Sequence, residues 1–280
     1  MICALPVTSS FAVHSYRLYT CGNCDFVFLD PAVAKSLRCE ALCDDDYFRS
    51  GGSGCWNYLA DATLLQEHGN RYGLLLAEAG ARRVLDVGAG AGFILRGLTE
   101  AGCSGVGIEP NASMAAHAVR ELGLDVRTTK LEDFDTGEQF DAAVLLQVVD
   151  HLEDIRRSFA RVGALTKGGG LCLIEFGNQA SLTARILGPR WHEYAPPSVQ
   201  RVFSLHALRL LLADYGFVLR RWGHPPKYLR ADRVLSLLRY KADAQLMRAA
   251  LTSLANVVPA GAKLRYLADD ITWALFEKRY

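Results

Sequence analysis

The residues best suited to chemistry lie in residues 84–93, where acidic and glycine residues follow one another closely. A short apolar run ends at Asp86, and three glycines follow at alternate positions, Gly88, Gly90 and Gly92. Because glycine has no Cβ and tolerates positive φ, such a turn lets a ligand approach the backbone closely. The helical pattern after the third glycine would direct free N–H groups at that ligand. The pattern therefore predicts a strand, a tight turn and a helix N-terminus that bind a nucleotide-like molecule.

A second acidic residue, Glu109, ends the next apolar segment, residues 104–109. Its two carboxylate oxygens can accept both hydroxyls of a ribose. Asn111 follows it and is a good helix N-cap. The glycine spacing is not that of a dinucleotide loop, because Phe93 stands where the third glycine of G-x-G-x-x-G would be. The loop is therefore tighter than that of a dinucleotide-binding fold.

From residue 81 to residue 177, the motifs, their order and their spacing resemble the class I S-adenosylmethionine (SAM) dependent methyltransferases. The resemblance implies an α/β fold: a seven-stranded Rossmann-like sheet of six parallel strands with the last one antiparallel, and helices on both faces. It also implies that SAM is the cofactor. The residues that would bind it are Asp86, Gly88, Gly90, Gly92, Glu109, Leu131, Glu132 (or Asp133) and Gln147. A solvated turn is the alternative for the two carboxylates after Leu131.

Apolar periodicity predicts the elements around this core. A helix over residues 59–79 precedes the first strand, and the buried run 140–152 is the fourth strand. A helix over 153–166, a Lys-Gly-Gly-Gly turn and a fifth strand over 171–176 follow. The sixth and seventh strands are predicted at 217–222 and 269–278. Between these two strands a helical insertion over 223–265 would cap the acceptor site or form a dimer face, or would simply be a packed helix pair with a solvated charged surface.

Composition limits the classes of function. The 280 residues carry 31 Lys and Arg against 30 Asp and Glu, a net charge of +1. This balance argues against nucleic acid as a partner. We find no secretory signal and no apolar run of the ~18 residues that a membrane span needs. The eight cysteines show no extracellular framework, so we expect a cytoplasmic enzyme that acts on a small molecule, with a homodimer possible.

The N-terminal segment contains a C-x-x-C pair, Cys21 and Cys24, whose context resembles one knuckle of a small zinc ribbon. Zinc needs four ligands. Cys3 would be a third ligand, but Pro6 stands where its partner should be. His14, Cys39 and Cys43 are further donors. The alternative is a degenerate ribbon without metal. Residues 1–50 are thus predicted to be a ribbon-like segment and lid, and residues 51–280 the methyltransferase domain.

The acceptor site is predicted from the loop at residues 187–197, just past the fifth strand, which holds Trp191, His192 and Tyr194. Ligands bind at this edge of open α/β sheets. Tyr47, followed by the glycine hinge at residues 51–54, would form a lid over the site or belong to an ordinary linker. For an oxygen acceptor a histidine base is the usual choice. We assign His192 to that role, with His151 as the alternative.

The reaction is predicted by resemblance and by one missing motif. Methyltransferases that modify base or amide nitrogens carry Asn/Asp-Pro-Pro-Tyr/Phe after the fourth strand, whereas this chain has Val148-Val149 there. That favours an oxygen or carbon acceptor on a small molecule, and we expect O-methylation in specialised or cell-envelope metabolism. Two alternatives remain: a methyltransferase of RNA or protein that docks through its N-terminal segment, and a SAM-binding fold that does not methylate.

Overall fold

The computed structural model describes residues 7–37, 58–226, 228–231, 259 and 262–280. Tyr47, Cys3, the hinge at residues 51–54 and most of the predicted cap lie outside these residues. Within the described part of the chain, no helix combines the length and the hydropathy that crossing a bilayer requires.

The predicted seven-stranded sheet is confirmed. Its strands are β4 (Arg83–Val87), β5 (Ser104–Ile108), β6 (Val126–Arg127), β7 (Phe140–Leu146), β8 (Thr166–Gly177), β10 (Phe217–Gly223) and β13 (Ile271–Lys278). Their spatial order is β10-β13-β8-β7-β4-β5-β6. Strand β13 runs antiparallel between β8 and β10, and the other pairs are parallel. All carboxyl ends of the parallel strands therefore meet at one edge, where ligands bind in such folds.

Five helices pack on this sheet: α2 (Ala62–Glu78), α3 (Phe93–Glu100), α4 (Ala112–Leu122), α5 (Ile155–Leu165) and α7 (Leu205–Ala213). Two short helices, α1 (Pro31–Ser36) and α6 (Leu182–Leu187), were not predicted, and α6 packs against the cluster of the N-terminal segment. Asn111 caps α4 through side-chain hydrogen bonds, as expected from its position, and Ser204 caps α7 in the same way. Helices α2 and α3 lie very close to each other. A Cβ added at Gly69 or Gly97 would overlap the backbone of the facing helix, so glycine permits this distance. This contact fixes the start of α2 above the cofactor loop.

A second, four-stranded sheet is built from the N-terminal segment and a distant strand. Its strands are β1 (Val7–Val13), β2 (Tyr16–Cys21), β3 (Val27–Leu29) and β9 (Arg201–Val202), all antiparallel. Leu18 and Val27 pack with Trp191 and Val202 in one cluster. The N-terminal segment is therefore joined by hydrogen bonds and by apolar packing to the chain that follows the acceptor loop.

Three element boundaries differ from the expectation. The buried run of the fourth strand stops at Leu146, because Gln147 adopts a left-handed conformation with φ 57° and a short 3-10 turn, Val149–His151, follows. The Lys-Gly-Gly-Gly segment is part of β8 and not a turn before it. Of the predicted helical insertion, the described residues form a two-stranded ribbon, β11 (Tyr228–Arg230) and β12 (Lys263–Arg265).

Candidate active site

The glycine loop adopts a backbone that side chains would not tolerate. Gly88, Gly90 and Gly92 have φ of 71°, 53° and 87°, the left-handed region in which glycine is favoured. A Cβ at Gly88 would lie 2.6 Å from Cγ2 of Val148, and one at Gly90 would lie 2.8 Å from the Tyr58 hydroxyl. The loop thus lies directly against the segment after β7 and the 3-10 turn, Tyr58–Asp61, that precedes α2. It leaves α3 with an N-terminus aimed at the sheet edge.

Two buried carboxylates flank this loop. Glu109 is 5% exposed; its Oε2 accepts a hydrogen bond from the Gly90 amide at 2.9 Å, and its Oε1 accepts one from the Asn111 amide at 2.8 Å. Asp86 is 2% exposed, and its Oδ2 has no hydrogen-bond partner within the described residues. Burial, with the nearby Glu109 charge, raises the pKa of Asp86 to about 8, and burial also raises the pKa of Glu109. Such a pair suits a ligand that brings hydroxyls and positive charge.

Tyr58 packs against the glycine loop, a contact that the sequence did not predict. Its ring stacks on Phe93 with centroids 5.7 Å apart, and its hydroxyl lies over Gly90. Burial raises the pKa of Tyr58, and the charges of Asp86 and Glu109 raise it further. The phenol therefore stays neutral and shares the pocket of the two carboxylates. The sequence offers only a weak signal for it, an aromatic residue just before the first helix.

The residues expected at the adenine lie after β6, but the carboxylate there is already engaged. Glu132 Oε1 accepts hydrogen bonds from the Ser158 hydroxyl at 2.5 Å and from the Asp154 amide at 3.4 Å, both at the start of α5. Asp133 pairs with Arg157 at 2.8 Å. Leu131 is 3% exposed and belongs to the main core. Contact with adenine stays a prediction for Leu131 and Glu132. An adenine ring at this position would lie next to the hydrogen bonds that Glu132 already accepts.

In the acceptor loop, the Trp191 side chain is buried and supports the loop from inside. It is fully buried, and its Nε1 donates a hydrogen bond to Asp270 Oδ2 at 2.7 Å. Tyr194 packs edge-on against it, 8% exposed, with a pKa raised to about 12 by burial. Trp191 therefore anchors the loop from inside, and its contact with an acceptor stays a prediction, as does that of Tyr194.

His192 stands between two carboxylates. Its Nε2 lies 3.1 Å from Glu193 Oε1, and its Nδ1 lies 3.7 Å from Asp270 Oδ2. Asp270 is fully buried and also accepts the Tyr266 hydroxyl at 2.7 Å. The His192 side chain keeps 35% of its surface exposed. The 3.7 Å separation is longer than a hydrogen bond, so Asp270 lies near the imidazole without bonding to it. The residue types are those of a general base with a carboxylate behind it.

His151, the alternative base, lies in the 3-10 turn after β7. Its Nδ1 donates to the Ser198 carbonyl at 3.1 Å, which leaves the basic lone pair on Nε2. Burial lowers its pKa, opposed by that hydrogen bond and by the charge of Glu193. Burial raises the pKa of the neighbouring Asp150 well above its usual range, and Glu193 raises it further. Glu193 thus acts on both candidate histidines.

The two halves of the site share one sheet edge. The Glu193 side chain rests on Gly177 at the end of β8, where an added Cβ would lie 2.9 Å from its Cγ. The turn after the neighbouring strand β7 places Val148 on Gly88 of the cofactor loop. Asp270, which sequence reasoning missed, enters from just before β13. Its only sequence signal is a position at the start of the last strand.

The described residues hold no group of three or more His, Cys, Asp or Glu that could bind a metal. Cys21 and Cys24 are both buried, at 4% and 0% exposure. Cys3, Cys39 and Cys43 lie outside the described residues, so the structure shows only part of the predicted ligand set, and zinc binding stays a prediction.

This fold and loop are those of the class I SAM-dependent methyltransferases. The family model described as a methyltransferase domain matches residues 59–221, more than half of the chain. The chain therefore belongs to this family.

Curated relatives and solved structures agree with that class. A ubiquinone biosynthesis O-methyltransferase of Bradyrhizobium sp. (strain ORS 278) is 35% identical over 102 residues, which cover 35% of this chain and 40% of the relative. The protein of the same name from Bradyrhizobium diazoefficiens is 34% identical over 158 residues, 50% of this chain and 62% of that one. The chain thus spans less than two thirds of these relatives.

Among solved structures, the magnesium protoporphyrin IX methyltransferase of Synechocystis PCC 6803, with bound SAM, is 15% identical with a TM-score of 0.52. The alignment covers 86% of this chain and 98% of that one. A SAM-dependent methyltransferase from Archaeoglobus fulgidus is 19% identical with a TM-score of 0.53, covering 84% and 100%. At these identities the likeness concerns the fold.

Proposed function

We propose that this protein transfers the methyl group of SAM to a hydroxyl oxygen of a small molecule. The observation that carries the proposal is His192, a partly exposed imidazole between Glu193 and buried Asp270 at the edge that also holds the glycine loop. A hydroxyl is a weak nucleophile until it loses its proton, and a positioned histidine can accept that proton. The carboxylate of Asp270 would stabilise the imidazolium that results.

The cofactor supplies an electrophilic methyl on its sulfonium. The loop and the two acids, Asp86 and Glu109, would hold its amino-acid and ribose parts, and Trp191 keeps the acceptor loop in register through Asp270. In this scheme the protein aligns donor and acceptor, takes one proton and excludes water. Zinc at Cys21 and Cys24, with Cys3 as third ligand, would be structural and plays no part in the transfer.

For the acceptor, the names of the relatives favour ubiquinone biosynthesis over the specialised or cell-envelope metabolism expected at first. Because the aligned part covers less than two thirds of those relatives, the particular acceptor is a proposal. An O-methylation is also in keeping with Val148-Val149 in place of the nitrogen-methylation motif.

The test is turnover with SAM and a panel of hydroxyl-, amino- and carboxyl-bearing small molecules, including intermediates of ubiquinone biosynthesis, read by mass spectrometry. His192→Ala should lower turnover about 10²–10⁴-fold with unchanged SAM affinity and should remove the acidic limb of the pH–rate profile. His206→Ala, at an exposed histidine of α7, is the matched control. Methylation only at nitrogen, or full activity of both His192→Ala and His151→Ala, would contradict the proposal; activity lost only in His151→Ala would assign the base to His151.

A further inference from the structure

A buried polar network connects α2 to the end of β7 and lies outside the acceptor loop. At its centre is Glu175 on β8, 1% exposed. Its Oε2 accepts hydrogen bonds from the Tyr72 hydroxyl at 2.6 Å and from His68 Nε2 at 2.7 Å. Its Oε1 accepts one from Gln147 Nε2 at 3.1 Å. One carboxylate thus ties two side chains of α2 to the residue that follows β7.

The protonation of His68 follows from its other neighbour. Arg71 NH2 lies 3.1 Å from His68 Nδ1. A guanidinium can only donate hydrogen bonds, so Nδ1 must be the acceptor and the ring proton must be on Nε2. His68 therefore donates to Glu175 through Nε2. The chain Arg71–His68–Glu175 compensates the buried negative charge and fixes Glu175 as an acceptor on both oxygens.

The same reasoning fixes the amide of Gln147. Because Glu175 Oε1 accepts, the NH₂ group of Gln147 must face it, and the amide oxygen must point away. Gln147 lies at the carboxyl edge, with φ 57°, its own N–H bonded to the Glu175 carbonyl at 2.8 Å. The next residue, Val148, touches Gly88 of the cofactor loop. The amide oxygen therefore faces away from Glu175, on a residue of the carboxyl edge that adjoins the glycine loop.

We propose that Glu175 is a positioning residue for cofactor binding: it holds the Gln147 amide so that its oxygen accepts a hydrogen bond from the ammonium of the amino-acid part of SAM. This inference rests on SAM as cofactor but not on the acceptor or on methyl transfer. A left-handed non-glycine residue at this edge is the strained backbone that functional sites keep. Asp86 supplies the negative charge for the same ammonium, and Gln147 supplies direction.

The nearly isosteric substitution Glu175→Gln has a defined consequence. His68 and Tyr72 both need an oxygen at the position of Oε2, so the new NH₂ group takes the position of Oε1. It then faces the NH₂ group of Gln147. The Gln147 amide must turn over, which presents its NH₂ group, and not its oxygen, to the cofactor ammonium. Two donors then face each other, and binding is weakened at that one point.

The experiment compares two ligands by isothermal titration with the full chain. SAM carries the ammonium, whereas 5′-methylthioadenosine keeps the nucleoside and lacks the amino acid. Glu175→Gln should weaken SAM about 10- to 100-fold, the range of one hydrogen bond to a charged group, and should change 5′-methylthioadenosine less than about twofold. Tyr72→Phe removes another donor to Glu175 without touching Gln147, and should leave both affinities within about twofold of the wild type.

Gln147→Met keeps the side-chain length and removes the amide. It should reproduce the selective loss, and the double variant should be no weaker than either single one, because both changes remove the same contact. Equal loss of both ligands in Glu175→Gln would overturn the proposal, because a general structural defect acts on the nucleoside too. If Glu175→Gln does not fold, Gln147→Met decides alone: unchanged SAM affinity there would refute the role. If the protein methylates no acceptor, these binding results still test the role of Glu175, because they do not depend on methyl transfer.

Discussion

Asp86→Asn is the substitution with the most specific expected signature. Asp86 is 2% exposed with a pKa of about 8, and its Oδ2 has no hydrogen-bond partner within the described residues. At pH 7 such a carboxyl is ionised in about one molecule in ten. The positive charges of SAM would favour the ionised form, so binding should release about 0.9 proton at pH 7. Between pH 6 and pH 7 the affinity of the wild type should rise about tenfold, since the ionised fraction does.

The folding stability of the free protein should depend on pH in the opposite sense to the SAM affinity. The folded wild type holds the Asp86 proton more tightly than the unfolded chain, because burial raises the folded pKa to about 8. The free protein should therefore lose stability as pH rises from the ordinary carboxyl range towards 8. Asp86→Asn has no such proton and should be more stable than the wild type at pH 8, while binding SAM more weakly.

The assay is isothermal titration in two buffers of different ionisation enthalpy, with thermal unfolding of both proteins from pH 5 to pH 8. The variant should release no proton through this position and should show a flat pH dependence of SAM affinity relative to the wild type. Equal proton release in both proteins, or equal SAM affinity at pH 7, would refute the assignment of Asp86 to the cofactor site.

Three further predictions concern the loop, the acceptor side and the metal. Gly90→Val should lower SAM affinity at least 100-fold in isothermal titration, because Gly90 has a φ of 53° and an added Cβ would lie 2.8 Å from an aromatic hydroxyl. The control is Gly80→Val, at a φ of 88° with open space around it. It introduces the backbone strain alone and should bind SAM normally. Asp270→Asn should keep SAM affinity and lower turnover about 10²–10⁴-fold in a steady-state assay, because the charge behind the base is lost; unchanged turnover would remove Asp270 from the mechanism. If the ribbon binds metal, elemental analysis should find about one zinc per chain, lost in the double variant Cys21→Ser/Cys24→Ser.

The parts of the fold that follow from local pattern could be read from the sequence. The glycine loop, the acid after β5 and the two N-caps depend on residues that are neighbours in the chain, so their geometry is encoded locally. The buried strands β7 and β8 follow from apolar runs, although the left-handed Gln147 ends β7 earlier than hydrophobicity alone indicates.

What the sequence did not yield depends on distant contacts. Strand β3 pairs with β9, so that Phe28 meets Arg201, and nothing in either short segment indicates the other. Trp191 looks like a ligand contact in an aromatic loop, but the carboxylate of Asp270, about 80 residues later, draws its indole inside. The orientation of Gln147 likewise depends on α2 and β8 together.

A crystal structure of the protein with S-adenosylhomocysteine would test where the cofactor lies. We predict that both ribose hydroxyls lie within hydrogen-bond distance of Glu109, with the thioether over the glycine loop and facing the side of the site that holds His192. A ligand bound elsewhere, or a Glu109 carboxylate that bonds only to Gly90 and Asn111 while the ligand is present, would contradict the account.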